Sequence, residues 1–314
     1  MSDQYLKLFE TNINEVRKII AVEKIDEDIY KITPKSTTTK SVAIVGITHG
    51  EEVAGLHIIN EILFRIIEGK INIDRDLYLI LGNRKAYLKN QRYTDTDLNR
   101  SYWIESKSDK HEEQRALKIK NAIKNCSYVI DIHQTVEDTL FPFFIAPNSS
   151  SKLYNWIAYI GSDIAIIQRE SSEKITTLSS YVCSQNNYGV TLEVGGNGFD
   201  AYQISLGTKI AENIIKSADK QFFQVSKNRQ KPSIYKIDYH ENYDKGNVKF
   251  LKKFVNFENI KKGQVIALKD NKEITAPISG QIVLYPRSWF KKNSTTAPEG
   301  IFALVNHKKN FPSI

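Results

Sequence analysis

Between residues 38 and 222, short runs of β-branched and apolar residues alternate with longer stretches of helical period. A layered α/β domain is the architecture that buries both patterns at once. SVAIVGI (41–47), DLYLILG (76–82), SYVIDIH (127–133), FFIAP (143–147) and GVTLEVG (189–195) read as buried strands. Segments 51–68, 111–125, 151–163 and 202–222 read as helices. The expected fold is α/β, with a mixed, mostly parallel sheet and helices on both faces. After about residue 225 the texture changes to short alternating strands with Gly, Pro and Asn turns. The expected division is therefore a catalytic α/β domain, 1–225, and a smaller all-β C-terminal domain, 226–314, with the boundary in the polar stretch 225–232.

A chain of 314 residues has ample length for two such units, and 41% apolar with 25% charged residues is ordinary for a folded protein. The net charge of +8 raises nucleic acid as a partner, but the basic residues are spread along the chain without forming a stripe. We expect no nucleic-acid partner; the basic field also suits a carboxylate substrate. Two cysteines, Cys126 and Cys183, lie far apart and form neither a disulfide framework nor a thiolate metal site. MSDQYLKLFETN has no basic n-region or apolar h-region, and no apolar run approaches the length of a membrane span. Cytoplasmic residence and no membrane association are the expectations.

The chemistry concentrates where strands end. SVAIVGI runs into Thr48, His49, Gly50, Glu51 and Glu52, which sets a His-x-x-Glu pair where a buried strand gives way to a helix. Alpha/beta domains place ligands at such carboxyl ends. By itself this pair equally suits a helix-capping cluster. SYVIDIH ends in His133, however, and in a parallel sheet the two strand ends share an edge. His49, Glu52 and His133 would give zinc three protein ligands and leave a position for water. Asp131, two residues before His133 on the same strand face, can orient that ligand or accept from a backbone amide.

The polar stretch 83–110 is longer than a usual βα connection and gathers Arg92, Asp95, Asp97, Asn99 and Arg100. Such residues belong to a solvated loop, or to a carboxylate clamp and an oxyanion-stabilising arginine. Glu193 is a carboxylate inside an otherwise apolar strand, a costly position without partners. It fits a buried salt bridge or a general base beside a zinc-bound water.

Taken together, GITHGEEVAG, RYTDTDLNR, DIHQT and TLEVG, in order across residues 40–222, resemble the succinylglutamate desuccinylase and aspartoacylase family, itself similar to the zinc carboxypeptidases. The resemblance implies one zinc per chain on His49, Glu52 and His133, with Glu193 as base and acid. It implies that Arg92 polarises the scissile carbonyl, while Asn99 and Arg100 grip a substrate carboxylate. The implied reaction is amide hydrolysis of a small N-acyl amino acid. A metallocarboxypeptidase acting on peptides would use the same residues, and a module that has lost catalysis would keep the fold. A homo-oligomer is compatible with all three.

Two departures bear on substrate. TTLSSYVCSQNNYG (176–189) lacks the arginine found in aspartoacylases just before the Glu-bearing strand, which disfavours acetylaspartate. VEDTLFPFF after DIHQT is acidic and then aromatic, unlike the basic continuation of succinylglutamate desuccinylases. Residues 261–283 resemble half of a biotinyl- or lipoyl-type sandwich without a carrier lysine, so no attached cofactor is expected and the β unit should shape the site entrance. Tyr181, Trp289 and Phe290 are further pocket candidates.

Overall fold

A computed structural model describes residues 2–35, 40–105, 108–161, 164–168, 176–217, 232–243, 246–284 and 300–308. Trp289, Phe290 and the boundary expected at 225/226 lie outside these residues.

The parallel strands form as the periodicity predicts: β3 (Ser41–Gly46), β4 (Leu77–Leu81), β5 (Cys126–Thr135) and β8 (Tyr188–Gly196). They lie in the order β4-β3-β5-β8, all parallel. The first 37 residues, which carried no sequence expectation, contribute α1 (Ser2–Arg17) and the hairpin β1 (Ala21–Asp26) and β2 (Ile29–Thr33), which continues the sheet antiparallel beyond β4. On the other side β6 (Phe143–Ala146) pairs antiparallel with β8 and parallel with β7 (Ala165–Gln168).

Successive strand residues point to opposite faces, and the two faces bury different helices. Val42, Ile44, Ile130 and Leu192 pack against α2 (Ala54–Ile67), α5 (Ser151–Ile160) and α7 (Ala201–Ser217), with α1 outside α2. Ala43, Val45 and Val129 pack against α4 (His111–Ile123) and α6 (Leu178–Ser184). Asp131 and His133 share the face of Val129, so the polar residues singled out in β5 lie on the α4–α6 side.

The C-terminal strands do not stand apart from this sheet. Strand β9 (Ile234–Glu241) pairs parallel with β7, and β15 (Phe302–Lys308), β14 (Gly280–Leu284) and β11 (Asn259–Ile260) follow antiparallel. Among the described residues this makes one sheet of twelve strands. A separate three-stranded sheet contains β10 (Val248–Phe250), β12 (Val265–Lys269) and β13 (Lys272–Thr275). Strands β13 and β14 are separated at Ala276–Ser279, where Pro277 donates no ladder hydrogen bond. Among the described residues no helix is long and apolar enough to cross a membrane.

Candidate metal centre and surrounding site

Because β3 and β5 are adjacent and parallel, with Val45 beside Asp131, their carboxyl ends bring His49 and His133 together. The turn between β3 and α2 is tightly held. Ile47 adopts φ +49°, a left-handed conformation costly for a β-branched residue. It is fixed by the Asn83 amide donating to the Ile47 carbonyl at 2.9 Å. Gly50 was expected to supply a sharp turn; its φ is not left-handed, and the reason for glycine is space. A Cβ there would lie 2.2 Å from the Ala86 carbonyl carbon in α3 (Arg84–Leu88). Helix α2 starts at Ala54, three residues later than the periodicity suggested, which leaves Glu52 in the turn.

His49 Nδ1 is 2.7 Å from Glu52 Oε1, and His133 Nδ1 is 2.8 Å from Glu52 Oε2. All three residues are buried, and one donor atom from each lies within 4.8 Å of the others. The remote imidazole nitrogens also face carboxylates. His49 Nε2 is 3.1 Å from Asp97 Oδ1, and His133 Nε2 is 2.8 Å from Asp131 Oδ2, an ion-pair contact off the hydrogen-bond line. Thr48 Oγ1 donates to the other Asp131 oxygen at 2.7 Å.

Three carboxylates around two imidazoles make this a site that seeks positive charge. Burial pushes the His133 imidazole down, yet Asp131 and Glu52 hold it well above the ordinary histidine range. Burial likewise opposes ionisation of Glu52, and His49 and His133 more than offset it, leaving its carboxyl lowered. Two imidazole nitrogens and a carboxylate, each imidazole backed by a second carboxylate, form a donor set suited to zinc.

Glu193 sits beside His133 in the β5–β8 register and lines the same cavity as the three residues. Its Oε2 is buried with no hydrogen-bond partner among the described residues. Burial raises its carboxyl to about 7, against the opposing pull of His133. Arg92 also reaches this centre: its Nη1 donates to Glu52 Oε1 at 3.1 Å, and its Nε lies 3.4 Å from Asp97 Oδ2. Asn99 and Arg100 form a 3-10 turn with Leu98 and line the cavity, and the Asn99 side-chain Oδ1 accepts from the Leu178 amide at 3.1 Å. The structure thus brings Arg92, Asn99, Arg100 and Glu193 to one cavity with His49, Glu52 and His133. Tyr181 lies elsewhere, on α6 against the α4 core.

Two residues that hold this arrangement were not singled out by sequence. Asp97 was one acid among several in a polar loop; the structure puts its Oδ1 on His49 and on the Asn99 amide, 2.8 Å away. Glu112 lies in the first turn of α4. It is buried and folds the loop: its Oε1 accepts from the Thr94 amide and hydroxyl at 2.7 and 2.8 Å and from Asn83 Nδ2 at 3.0 Å. Its Oε2 accepts from the Asp95 and Thr96 amides at 3.0 and 3.1 Å. No periodicity marks such a residue, because its partners are backbone groups of a loop.

The cavity walls continue past these groups to Ile237, Val283 and Val305, from β9, β14 and β15.

Known proteins share this arrangement of strands. A succinylglutamate desuccinylase structure from Vibrio parahaemolyticus superposes with a TM-score of 0.72 at 16% identity, over 96% of this chain and 95% of that one. Murine aminoacylase 3 superposes with a TM-score of 0.65 at 17% identity, over 87% and 97%. In sequence, a succinylglutamate desuccinylase from Pseudoalteromonas atlantica is 23% identical over 292 residues, 85% of this chain and 83% of the relative. One from Yersinia pestis is 26% identical over 186 residues, 54% and 56% respectively. The family model of the succinylglutamate desuccinylase/aspartoacylase catalytic domain matches residues 38–218, the stretch that builds the parallel strands and every group around His49, Glu52 and His133. The chain belongs to the succinylglutamate desuccinylase/aspartoacylase family.

Proposed function

We propose that this protein is a zinc-dependent deacylase that hydrolyses the amide bond of a small N-acyl amino acid. The observation that carries the reading is the convergence of His49, Glu52 and His133 on one point, beside Glu193, whose Oε2 is buried and whose carboxyl burial raises to about 7. In this reading the three residues hold one zinc, which supplies Lewis acidity toward the acyl carbonyl and acidifies a water. Asp97 and Asp131 fix the two imidazoles so that each Nδ1 faces Glu52, the arrangement in which all three residues would hold the ion.

Glu193 accepts the proton of the attacking water at its buried carboxylate and returns it to the departing amine nitrogen. A carboxyl near 7 suits both steps, since it is neither fully ionised nor fully protonated at neutral pH. Arg92, within 3.1 Å of Glu52, places a guanidinium where negative charge develops on the carbonyl oxygen. Asn99 and Arg100 hold the amino acid's carboxylate, Asn99 being fixed by its bond to the Leu178 amide. Residues 1–225 form the catalytic unit, and 226–314 close the cavity with side chains of β9, β14 and β15. A wall on that side favours small substrates over extended peptides.

The test is the metal content of the purified protein, with amine release from N-acyl amino acids and short peptides. One zinc per chain with N-acyl amino acid turnover supports the reading; turnover of peptides alone would make it a carboxypeptidase. Glu193→Gln should keep the metal and lose roughly 10²–10⁴ in kcat. An unchanged rate would remove Glu193 from the mechanism.

A further inference from the structure

The sheet face that carries His133 and Glu193 does not stop at the site. In the β6–β8 register Phe143 lies opposite Glu193 and Ile145 opposite Thr191, so both share the face of the site residues. Ile145 pairs with Ile167 on β7. Farther along, Ile237 of β9 pairs with Val305 of β15. These five residues and Val283 all line the cavity that holds Glu193. Phe143, Ile167 and Val305 are nearly dry, and together with Phe257 they form a small apolar cluster separate from the main cores. Ile145, Ile237 and Val283 are partly open to the cavity.

Another part of the cavity lining is polar. Asn99 and Arg100 stand there with Thr177 and Ser179, which sit 3.2 Å apart hydroxyl to hydroxyl and follow directly on the loop that anchors Asn99. Ser179 is linked at 3.1 Å to Thr191, next to the apolar end. Among the described residues the cavity's arginines are Arg92 and Arg100, and its apolar floor contributes no cation.

Resting on the deacylase reading, we propose that the acyl group is an uncharged hydrocarbon chain of several carbons, laid along Phe143, Ile145, Ile167, Ile237, Val283 and Val305. The scissile amide must lie at Glu193 with the amino acid's carboxylate at Asn99 and Arg100, which directs the acyl chain onto this floor. Each methylene buried there gains transfer free energy, whereas the distal carboxylate of a succinyl group would be desolvated opposite apolar side chains.

The experiment compares zinc-loaded protein on N-acetyl, N-butanoyl, N-hexanoyl and N-succinyl derivatives of a panel of amino acids, read as amine release. The expected result is a kcat/KM that rises about three- to fourfold per added methylene until the floor is covered, with succinyl well below butanoyl. Succinyl equal to or above butanoyl would overturn the proposal while leaving the deacylase reading in place. No turnover of any member would sink the deacylase reading, and this inference with it. Ile237→Lys, at a partly open position, should lower hexanoyl relative to succinyl turnover by tenfold or more. The milder Ile237→Ala should lower the hexanoyl-to-acetyl ratio several-fold even if the lysine variant folds poorly. Unchanged ratios in a folded variant would show that the chain lies elsewhere.

Discussion

His49 and His133 each face Glu52 with Nδ1 and a second carboxylate with Nε2, so the ring orientation is fixed before any metal arrives. Replacing Asp97 or Asp131 with asparagine keeps the volume and removes the charge. Each variant should bind zinc about 10–100-fold more weakly, measured by competition with a chromophoric chelator. Wild-type affinity in Asp131→Asn would reduce that residue to a partner of Thr48. His133→Ala should fall further and lose most bound metal; full zinc occupancy would mean a different third ligand. His49 and His133 were legible in sequence because each stands at the carboxyl end of an apolar strand, where a polar side chain stands out. Asp97 was not, because a carboxylate in a loop rich in Asp, Asn and Arg looks like solvated surface until the loop is folded against His49.

At the scale of elements, the strands and most helices of 38–222 follow from periodicity, since their apolar faces match the two cores that bury them. The β1–β2 hairpin carries a weaker pattern; β1 is largely exposed, so little burial writes itself into its sequence. Connections depend on single contacts. Gly50→Ala would drive a Cβ to within 2.2 Å of α3 backbone and push the His49–Glu52 turn outward, costing about 1–3 kcal/mol together with zinc affinity. Denaturant midpoints and a zinc titration check both, and an unperturbed midpoint would show that α3 yields freely. Glu112 governs the neighbouring loop. Burial opposes its ionisation, but donors from Thr94, Asn83 and Asp95 hold its carboxyl below the ordinary glutamate value of 4.5. The folded state therefore binds its proton less readily than the unfolded state. Its contribution is complete above about pH 4.5 and is lost as pH falls through the lower folded value. Glu112→Gln should flatten the acid limb of the stability curve in that window; equal slopes in both proteins would assign acid sensitivity to other carboxylates.

The whole molecule was the least legible scale. The change of texture after residue 225 marks a smaller β-rich C-terminal part, but local alternation reveals strands and not which strands they pair with. In the structure β9 is hydrogen-bonded beside β7, with Ile166, Ile167 and Gln168 paired to Ile234, Tyr235 and Lys236. One apolar cluster draws Phe143 and Ile167 from one side of that seam and Phe257 and Val305 from the other. Separating the two parts would expose both the edge of β7 and this cluster, which disfavours a state with only one part folded. Thermal unfolding should accordingly show one transition, with far-UV signal and tryptophan fluorescence moving together. A zinc held by His49, Glu52 and His133 would stabilise the folded state, so its removal by a chelator should lower that transition as a whole. Two transitions, of which the earlier alone responds to zinc, would mean that the strands after residue 232 fold on their own and that the shared wall of the cavity is assembled only afterwards.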